Sequence, residues 1–200
     1  MDSSDGLVRA FGIDLPTRIR FGVGVRGRVG AIAAGYGPRT VLVTGTSFGA
    51  NPGGEDVLRS LAAAGVVVAN HVTVHGEPDG DGVSALVRRL DAAEASSVVA
   101  VGGGSALDLA KGAALCPSPE RLAALLGGER TEVGGLPVIA MPTTAGSGAE
   151  CSHAAIILDR SADRKRGIRG RGVAARDALV DPELMVGAPP EVSAAAGFDA

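Results

Sequence analysis

Val101-Gly102-Gly103-Gly104-Ser105-Ala106-Leu107-Asp108-Leu109-Ala110-Lys111 is the stretch of this sequence that best predicts the fold. It continues an apolar run that is typical of a buried strand, and its later residues have helical spacing, with Ser105 predicted as the helix cap. Glycines let an anion approach the backbone, and the free N–H groups at a helix start point toward it. Neither G-x-G-x-x-G nor G-x-x-x-x-G-K-[ST] is present, so the stretch indicates a phosphate or nucleotide site without naming the ligand.

Strand and helix patterns alternate along the chain. Val/Ile-rich runs predict strands at 40–44, 66–74, 97–101, 137–141 and 154–158. Ala/Leu/Arg runs predict helices at 54–64, 82–95 and 105–115. This alternation predicts an α/β fold with a Rossmann-like parallel sheet flanked by helices and ligands at the carboxyl ends of its strands. The proline-rich exit near residue 187 divides the sequence into an α/β domain (1–187) and the start of a further helical domain (188–200).

Composition excludes several classes of function. Apolar residues make up 46% of the chain, aromatic residues only 2%, and the formal net charge is −3. This balance argues against nucleic acid and against membrane surfaces as partners, and no apolar run reaches the roughly 20 residues of a membrane helix. No charged-then-apolar leader opens the sequence, and Cys116 and Cys151 form no CxxC pair. We therefore expect reduced thiols and a cytoplasmic location.

A second polar loop follows the predicted strand 137–141. It reads Met141-Pro142-Thr143-Thr144-Ala145-Gly146-Ser147-Gly148-Ala149-Glu150. Three hydroxyls and two glycines offer donors and close backbone approach to a phosphate or a ribose. Taken alone, the loop is equally explained as an ordinary Ser/Thr/Gly turn that caps a helix.

Together the two segments resemble the GGGS-x-x-D-x-x-K and PTTAG[TS]G-x-E signatures of the iron-containing (group III) alcohol dehydrogenase family. Three further segments are similar to that family. Residues 16–24 resemble its opening strand pair, 178–184 its "DPeL" segment and 197–200 its G-x-D-A, where a helical domain begins. The resemblance therefore covers essentially the whole chain in order.

The resemblance implies a set of binding residues. The residues it places at an NAD(P) cofactor are Gly45, Gly103, Gly104, Ser105, Asp108, Thr143, Thr144, Ser147, Lys165 and Leu184. Within this set, the glycine turn with Ser105 would hold the pyrophosphate, and Asp108 would lie on the nicotinamide side. Asp199 aligns with the first protein ligand of a divalent metal, iron or zinc, in the complete enzyme. No catalytic residue is assigned within this chain.

Several of these residues have simpler explanations. Ser105 and Asp108 form an S-x-x-D pattern that stabilises a helix start whatever is bound. Asp108 and Lys111 are also an i,i+3 ion pair. Lys165 belongs to the basic run 160–176, which is typical of a solvated hairpin. These structural explanations stand beside the cofactor roles.

Gly45 bears on the choice of cofactor. Many dinucleotide sites place a carboxylate at the end of this strand, where it bonds the adenosine ribose and repels a 2′-phosphate. Here the strand ends in Gly45-Thr46-Ser47, and Glu55 or Asp56 could supply the carboxylate from elsewhere. We expect NADPH to be accepted at least as well as NADH. The family's Asn-Pro at the next strand end is replaced by 76–79 (Gly-Glu-Pro-Asp), which puts adenosine contacts there in doubt.

The histidines do not indicate a metal site. His71 and His75 fall in a strand pattern, where four residues span roughly 13 Å. His153 follows the polar loop and is expected to be structural. Asp199 alone cannot hold a catalytic ion, which needs about three or four ligands. We therefore expect the chain to bind a dinucleotide but not to turn over by itself.

The resemblance implies hydride transfer between a nicotinamide and a small alcohol or aldehyde, with the cofactor carrying the chemistry. A possible homo-oligomer is in keeping with that family. Two alternatives stay open. One is a nucleotide-binding module that is non-catalytic or completed by a partner chain, and the other is a dehydroquinate synthase-like lyase that also uses NAD.

Overall fold

A computed structural model describes residues 15–116 and 118–200 and shows a parallel sheet. Its strands are β1 (Arg18–Phe21), β2 (Arg39–Gly45), β3 (Val67–Val74), β4 (Ser97–Gly102), β5 (Val138–Pro142) and β8 (Asp177–Val180). The order across this six-stranded sheet is β1-β8-β5-β4-β2-β3, and every paired strand is parallel to its neighbour. A separate antiparallel hairpin consists of β6 (Ala154–Asp159) and β7 (Arg164–Arg169).

Helices connect and cover the strands. They are α1 (Val29–Ala34), α2 (Pro52–Ala63), α3 (Gly80–Ala92), α4 (Gly104–Leu115), α5 (Pro119–Leu126) and α6 (Pro190–Asp199). Local sequence explains where three of them begin, because Asn51, Asp79 and Ser118 each accept a hydrogen bond from a backbone N–H of the first turn. Within the described ranges, no helix has both the length and the apolar character that crossing a membrane requires.

Alternating side chains of the parallel sheet fill two apolar layers. Val41 and Val43 point into the layer beneath α3 and α4, whereas Leu42 between them points into the layer beneath α1 and α2. All residues of β4 are buried, as expected for a central strand covered on both faces. The predicted α/β fold with a parallel sheet flanked by helices is thereby confirmed.

Two strand predictions need correction. The run 154–158 does form a strand, but β6 pairs with β7 outside the parallel sheet. The segment 16–24 contains one strand instead of a strand pair, because Gly22 and Gly24 adopt positive φ and turn the chain away after β1. Strand β8 and helices α1 and α5 were not predicted, since each is too short for a clear periodic pattern.

Asp177 at the start of β8 fixes the edge strand β1. Its carboxylate is fully buried and accepts hydrogen bonds from Arg18 (2.9 Å), Arg20 (2.6 Å) and the Tyr36 hydroxyl (2.5 Å). Burial alone would raise the pKa of Asp177, but these three hydrogen bonds outweigh it and hold that pKa below its usual value. The short strand β1 is thus held by charge as well as by its backbone ladder.

Replacing Asp177 by asparagine should lower the free energy of unfolding at pH 7 by about 2 kcal/mol, because the buried carboxylate loses its charge-assisted bonds. Urea denaturation at several pH values measures this. Because the pKa of Asp177 is depressed on folding, its contribution is present above about pH 4 and is lost as the pH falls through the folded-state value.

Glu132→Gln is the matched control for Asp177→Asn, since Glu132 is exposed. Its free energy of unfolding should stay within about 0.5 kcal/mol of the wild type. Equal stability of Asp177→Asn and wild type at pH 7 would contradict the role given to this carboxylate.

Candidate nucleotide-binding site

A cavity of about 310 Å³ lies at the carboxyl ends of β2, β3 and β4. The chain leaves β2 toward β3 on one side, while β4 and β5 lie on the other, so the strand order reverses between β2 and β4. In open parallel sheets this reversal point is where ligands bind. The residues that line the cavity are Gly45, Thr46, Ser47, Ala50, Asn51, Val74, Gly103, Ser105, Ala106, Thr143, Thr144, Leu184, Gly187, Ala188, Pro189 and Val192.

The ends of β2 and β4 meet through two glycines. A Cβ atom at Gly102 would lie 2.9 Å from the backbone nitrogen of Gly45 and 2.7 Å from the Cβ of Ala106. Real Cβ atoms are not found so close to backbone, so a side chain at Gly102 would separate the two strand ends. The glycine is therefore required by the packing beneath the cavity as well as by a ligand above it.

Helix α4 begins without a side-chain cap. Gly103 is the N-cap residue in an extended conformation, and no side chain accepts a hydrogen bond from the first turn. The prediction that Ser105 caps this helix is therefore wrong, because the chain becomes helical at Gly104 and Ser105 already lies in the first turn. Its hydroxyl lines the cavity, and the N–H groups of the first turn point into the same space.

The polar loop after β5 closes one side of this turn. The backbone N–H of Thr143 donates to the carbonyl of Gly102 over 3.0 Å. A Cβ atom at Gly103 would lie 3.4 Å from the Thr144 hydroxyl, and one at Gly104 would lie 3.0 Å from the Ser147 hydroxyl. Glycine at both positions thus brings main chain within reach of the loop hydroxyls. This arrangement can bind a phosphate from two sides.

A buried ion pair holds the far end of the same loop. Lys111 is 1% exposed, and its ammonium donates to the carbonyl of Ala149 (2.7 Å), the hydroxyl of Ser152 (3.0 Å) and the carbonyl of Ala154. Asp108 Oδ1 lies 3.1 Å from the same ammonium, although the direction is poor for a hydrogen bond. Burial lowers the pKa of Lys111, and Asp108 opposes that change.

Asp108 also has a partner in the hairpin. Its Oδ2 accepts from the backbone N–H of Ile156 over 3.0 Å, so the carboxylate points from α4 toward β6 and away from the cavity. The predicted i,i+3 pair with Lys111 is present, but it is buried, not on the surface. The S-x-x-D capping pattern is not formed, since Gly103 occupies the cap position.

Of the remaining predicted residues, some line the cavity and others lie elsewhere in the structure. Gly45 and Leu184 line the cavity. Lys165 lies on β7 and pairs with Glu77 over 2.5 Å, with both side chains about half exposed. Asp199 is the last residue of α6 and is exposed. The predicted residues that line the cavity are thus Gly45, Gly103, Ser105, Thr143, Thr144 and Leu184. Gly104 and Ser147 lie against each other beside the lining, and the structure does not bring Asp108, Lys165 or Asp199 into it.

Asn51 is a cavity residue that the sequence analysis missed. Its carbonyl oxygen accepts from the N–H of Gly53 (2.9 Å) and its amide donates to the carbonyl of Leu184 (2.8 Å). It therefore caps α2 and ties that helix to the segment after β8. The Asn51-Pro52 pair, with asparagine at the cap and proline at the first helical position of α2, is a helix-start signal that could have found it.

Arg26 stabilises the turn at residues 181–184, which carries the cavity residue Leu184. Its side chain pairs with the buried Asp181 (2.9 Å), with Asp56 (2.8 Å) and with Glu183. Because these carboxylates lie beside Leu184, the cluster fixes the turn that carries Leu184 into the cavity. Asp56 is consequently engaged away from the lining residues.

Helix α6 lies directly on the polar loop. A Cβ atom at Gly146 would lie 2.9 Å from the carbonyl carbon of Ala196 and closer still to its oxygen. Val192 and the turn before α6 form part of the cavity wall, whereas no residue of α6 is buried. The loop and the helix thus meet backbone to backbone.

The charges around the cavity are sparse. None of the residues that line it carries a charged side chain, and Glu55 on α2 is mostly exposed. Within residues 15–116 and 118–200, no three His, Cys, Asp or Glu side chains come together as a metal site. His71 instead bonds the Thr44 hydroxyl over 2.9 Å. The described residues therefore offer hydroxyl and backbone N–H donors at the cavity, and they do not by themselves form a complete divalent-metal site.

The fold and this cavity define an α/β domain of the Rossmann-like type. The model of the family described as iron-containing alcohol dehydrogenase matches residues 16–182. The chain belongs to this family.

Individual relatives agree with that assignment. The probable alcohol dehydrogenase EutG of Salmonella typhimurium is 36% identical over 181 residues, which cover 90% of this chain and 46% of that protein. The NAD-dependent methanol dehydrogenase of Bacillus methanolicus is 30% identical over 188 residues, covering 93% of this chain and 49% of that protein. The chain thus spans about half the length of these relatives.

Solved structures show the same fold. The sulfoacetaldehyde reductase of Bifidobacterium kashiwanohense, solved in complex with NAD+, superposes with a TM-score of 0.82 at 31% identity, covering 95% of this chain and 51% of that chain. The alcohol dehydrogenase ADH/D1 from an archaeal source in a Red Sea brine pool gives a TM-score of 0.86 at 26% identity, covering 96% and 51%.

Removing the buried ammonium in Lys111→Met should lower the free energy of unfolding by about 3–5 kcal/mol, since Asp108 would be left buried and unpaired. The double variant Asp108→Asn, Lys111→Met should recover part of this loss, because no charge then stays uncompensated. Denaturant unfolding of the four proteins of this cycle measures the coupling.

Lys165→Met is the control, because its ion pair with Glu77 is solvent-exposed. Its effect should stay below about 1 kcal/mol. If Lys111→Met were no more destabilising than Lys165→Met, the Lys111 contacts would not hold the loop.

Proposed function

We propose that this chain is the cofactor-binding part of an NAD(P)-linked dehydrogenase that interconverts a small alcohol and its aldehyde. The observation that carries the proposal is the uncapped start of α4, where Gly103 and Gly104 face the hydroxyls of Thr144 and Ser147 beside the reversal point of the sheet. Membership of the family supports it, as do relatives whose names specify alcohols, aldehydes or NAD.

Each side of the cavity has a distinct task in this proposal. The N–H groups of the first turn of α4 and the Ser105 hydroxyl bind the pyrophosphate, and the glycines admit it to the backbone. The hydroxyls of Thr143, Thr144 and Ser147 contact phosphate, ribose or nicotinamide. When bound, the nicotinamide supplies the hydride, and the protein orients it and excludes water. Leu184, in the turn after β8, packs against the bound cofactor.

Asp108 and Lys165 take part less directly. The contacts of Asp108 with Lys111 and Ile156 support a role in holding the polar loop and the hairpin together. Lys165 reaches Glu77 beyond β3, on the side where an adenosine would lie. Their placement at the cofactor stays a prediction.

Asp199 is proposed as one ligand of a divalent metal, iron or zinc. A single carboxylate does not make such a site, and the described residues offer no other ligands beside it. The remaining ligands would have to come from outside these residues. We therefore expect this polypeptide to bind a dinucleotide without oxidising an alcohol, whereas metal-dependent turnover by it alone would contradict the division of the site.

NADH binding by the isolated chain tests the proposal, with Ser105→Ala as the informative variant. Loss of a hydrogen bond to a charged pyrophosphate should weaken NADH binding about tenfold, as measured by fluorescence titration. Ser161→Ala, in the turn between β6 and β7, removes a hydroxyl remote from the cavity and should bind like the wild type. A wild-type chain that binds neither NADH nor NADPH would overturn the proposed function. Unchanged binding in Ser105→Ala would overturn only the role of that hydroxyl.

We also propose that NADPH is accepted at least as well as NADH, because no carboxylate lines the cavity beside Gly45. In Gly45→Asp the new carboxylate should repel the 2′-phosphate and weaken NADPH binding about tenfold or more relative to NADH binding. The position can take the side chain, since a Cβ there meets nothing nearer than 3.8 Å.

Gly45→Asn is the neutral control of equal shape, and it should leave the ratio of the two dissociation constants unchanged. The measurement is a pair of titrations on each variant. A wild type that binds NADH tenfold more tightly than NADPH would contradict the proposal.

Small alcohols and aldehydes are the proposed substrates, and a homo-oligomer stays a prediction. The alternative of a nucleotide-binding module without catalysis, or one completed by a partner chain, predicts the same NADH binding. The alternatives differ in whether alcohol is oxidised once the remaining protein ligands of the metal are supplied, and by which polypeptide they are supplied.

A further inference from the structure

A second crevice lies at the opposite end of the sheet. It has a volume of about 390 Å³ and runs between α3, the edge strand β3 and the start of β2. Three arginines line it, namely Arg39, Arg88 and Arg89, together with Asn70. The other lining residues are Ala69, Ala85, Ala92 and Ala93. Because alanine side chains are short, they leave open space between the guanidinium groups.

No carboxylate in the described part of the chain pairs with the guanidinium groups of the crevice. Arg39 donates from Nε to the carbonyl of Ala93 (2.6 Å), and Arg89 donates to the Asn70 side-chain oxygen (3.1 Å). Arg88 makes no hydrogen bond or ion pair with any residue of 15–116 or 118–200. These neutral acceptors orient two of the groups without cancelling their charge.

Some other basic side chains of the molecule are ion-paired instead. Arg26 and Arg166, for example, pair with carboxylates at 2.8 and 2.6 Å. The carboxylates carried by α3 itself, Asp81 and Asp91, do not line the crevice. A positive patch therefore persists in a chain whose formal net charge is −3.

We propose that this crevice binds the phosphoryl group of a small molecule or free inorganic phosphate. The planar guanidinium of arginine matches a tetrahedral oxyanion through paired N–H donors, and the free amide N–H₂ of Asn70 adds a neutral donor. The volume admits a phosphoryl group and a small body attached to it.

The site is separate from the nucleotide cavity. Arg39 begins β2 and Gly45 ends it, so the strand places the two about 20 Å apart. No residue lines both cavities. The proposal consequently does not depend on the proposed dehydrogenase function, and either can fail alone.

Titration of the ¹⁵N-labelled chain with inorganic phosphate, at constant ionic strength maintained with chloride, tests the proposal residue by residue. We expect saturable amide shifts at Asn70, Arg88 and Arg89. In Arg88→Ala, Arg89→Ala the apparent dissociation constant should rise about tenfold or more, because charge-assisted bonds are lost. Arg59→Ala is the control for loss of a surface arginine elsewhere, since it removes an exposed arginine from α2 and should leave the crevice shifts unchanged.

Two outcomes of the phosphate titration would overturn the proposal. Shifts confined to 103–105 would assign phosphate to the nucleotide cavity alone. Non-saturating shifts that the double variant retains would show ionic screening only. Repeating the titration with a phosphorylated sugar separates the two sources, because binding tighter than that of inorganic phosphate identifies a group attached to the phosphoryl.

Discussion

The close approach of Gly45 and Gly102 is the constraint on which the cavity depends. Parallel pairing of β2 with β4 brings the two strand ends together, and a 2.9 Å separation from a Cβ at Gly102 leaves no room for a side chain. The same contact sets where α4 can begin, because the chain must turn at once into the helix. An uncapped helix start then faces the polar loop, so one backbone contact constrains the strand spacing, the helix start and the position of the N–H groups that are proposed to bind an anion.

Charged side chains with several polar partners fix the positions of the segments around this cavity. Lys111 holds the end of the polar loop, Arg26 holds the turn that carries Leu184, and Asp177 holds the edge strand. In each case a charge that would be costly alone is satisfied by several oxygen or nitrogen partners. The apolar core of small side chains contains few aromatic rings, and these polar clusters specify the positions of loops that aliphatic packing leaves undetermined.

The central strands and the glycine turn were predictable because their signals are local. Apolar runs indicated β2 to β5, and the glycines after β4 indicated the candidate site, where the structure has a cavity, without any knowledge of neighbouring strands. Asp108 shows where such reasoning stops, since its spacing to Lys111 is evident but its burial against Ile156 depends on a hairpin far along the chain. The Ser105 cap failed for a related reason, because glycine backbone geometry at Gly103 displaced the expected cap. Asn51 reached the cavity through contacts that link α2 to the chain after β8.

The contact between Gly146 and Ala196 has a mechanical consequence. It joins main chain to main chain, so no change of side-chain rotamer can absorb a movement of α6. A tilt or translation of that helix toward the loop that carries Thr143 and Thr144 would press main chain against main chain. Helix α6 buries none of its own residues, and the turn at residues 187–189 that leads into it lines the cavity. The positions of the loop and of the helix therefore constrain each other at Gly146.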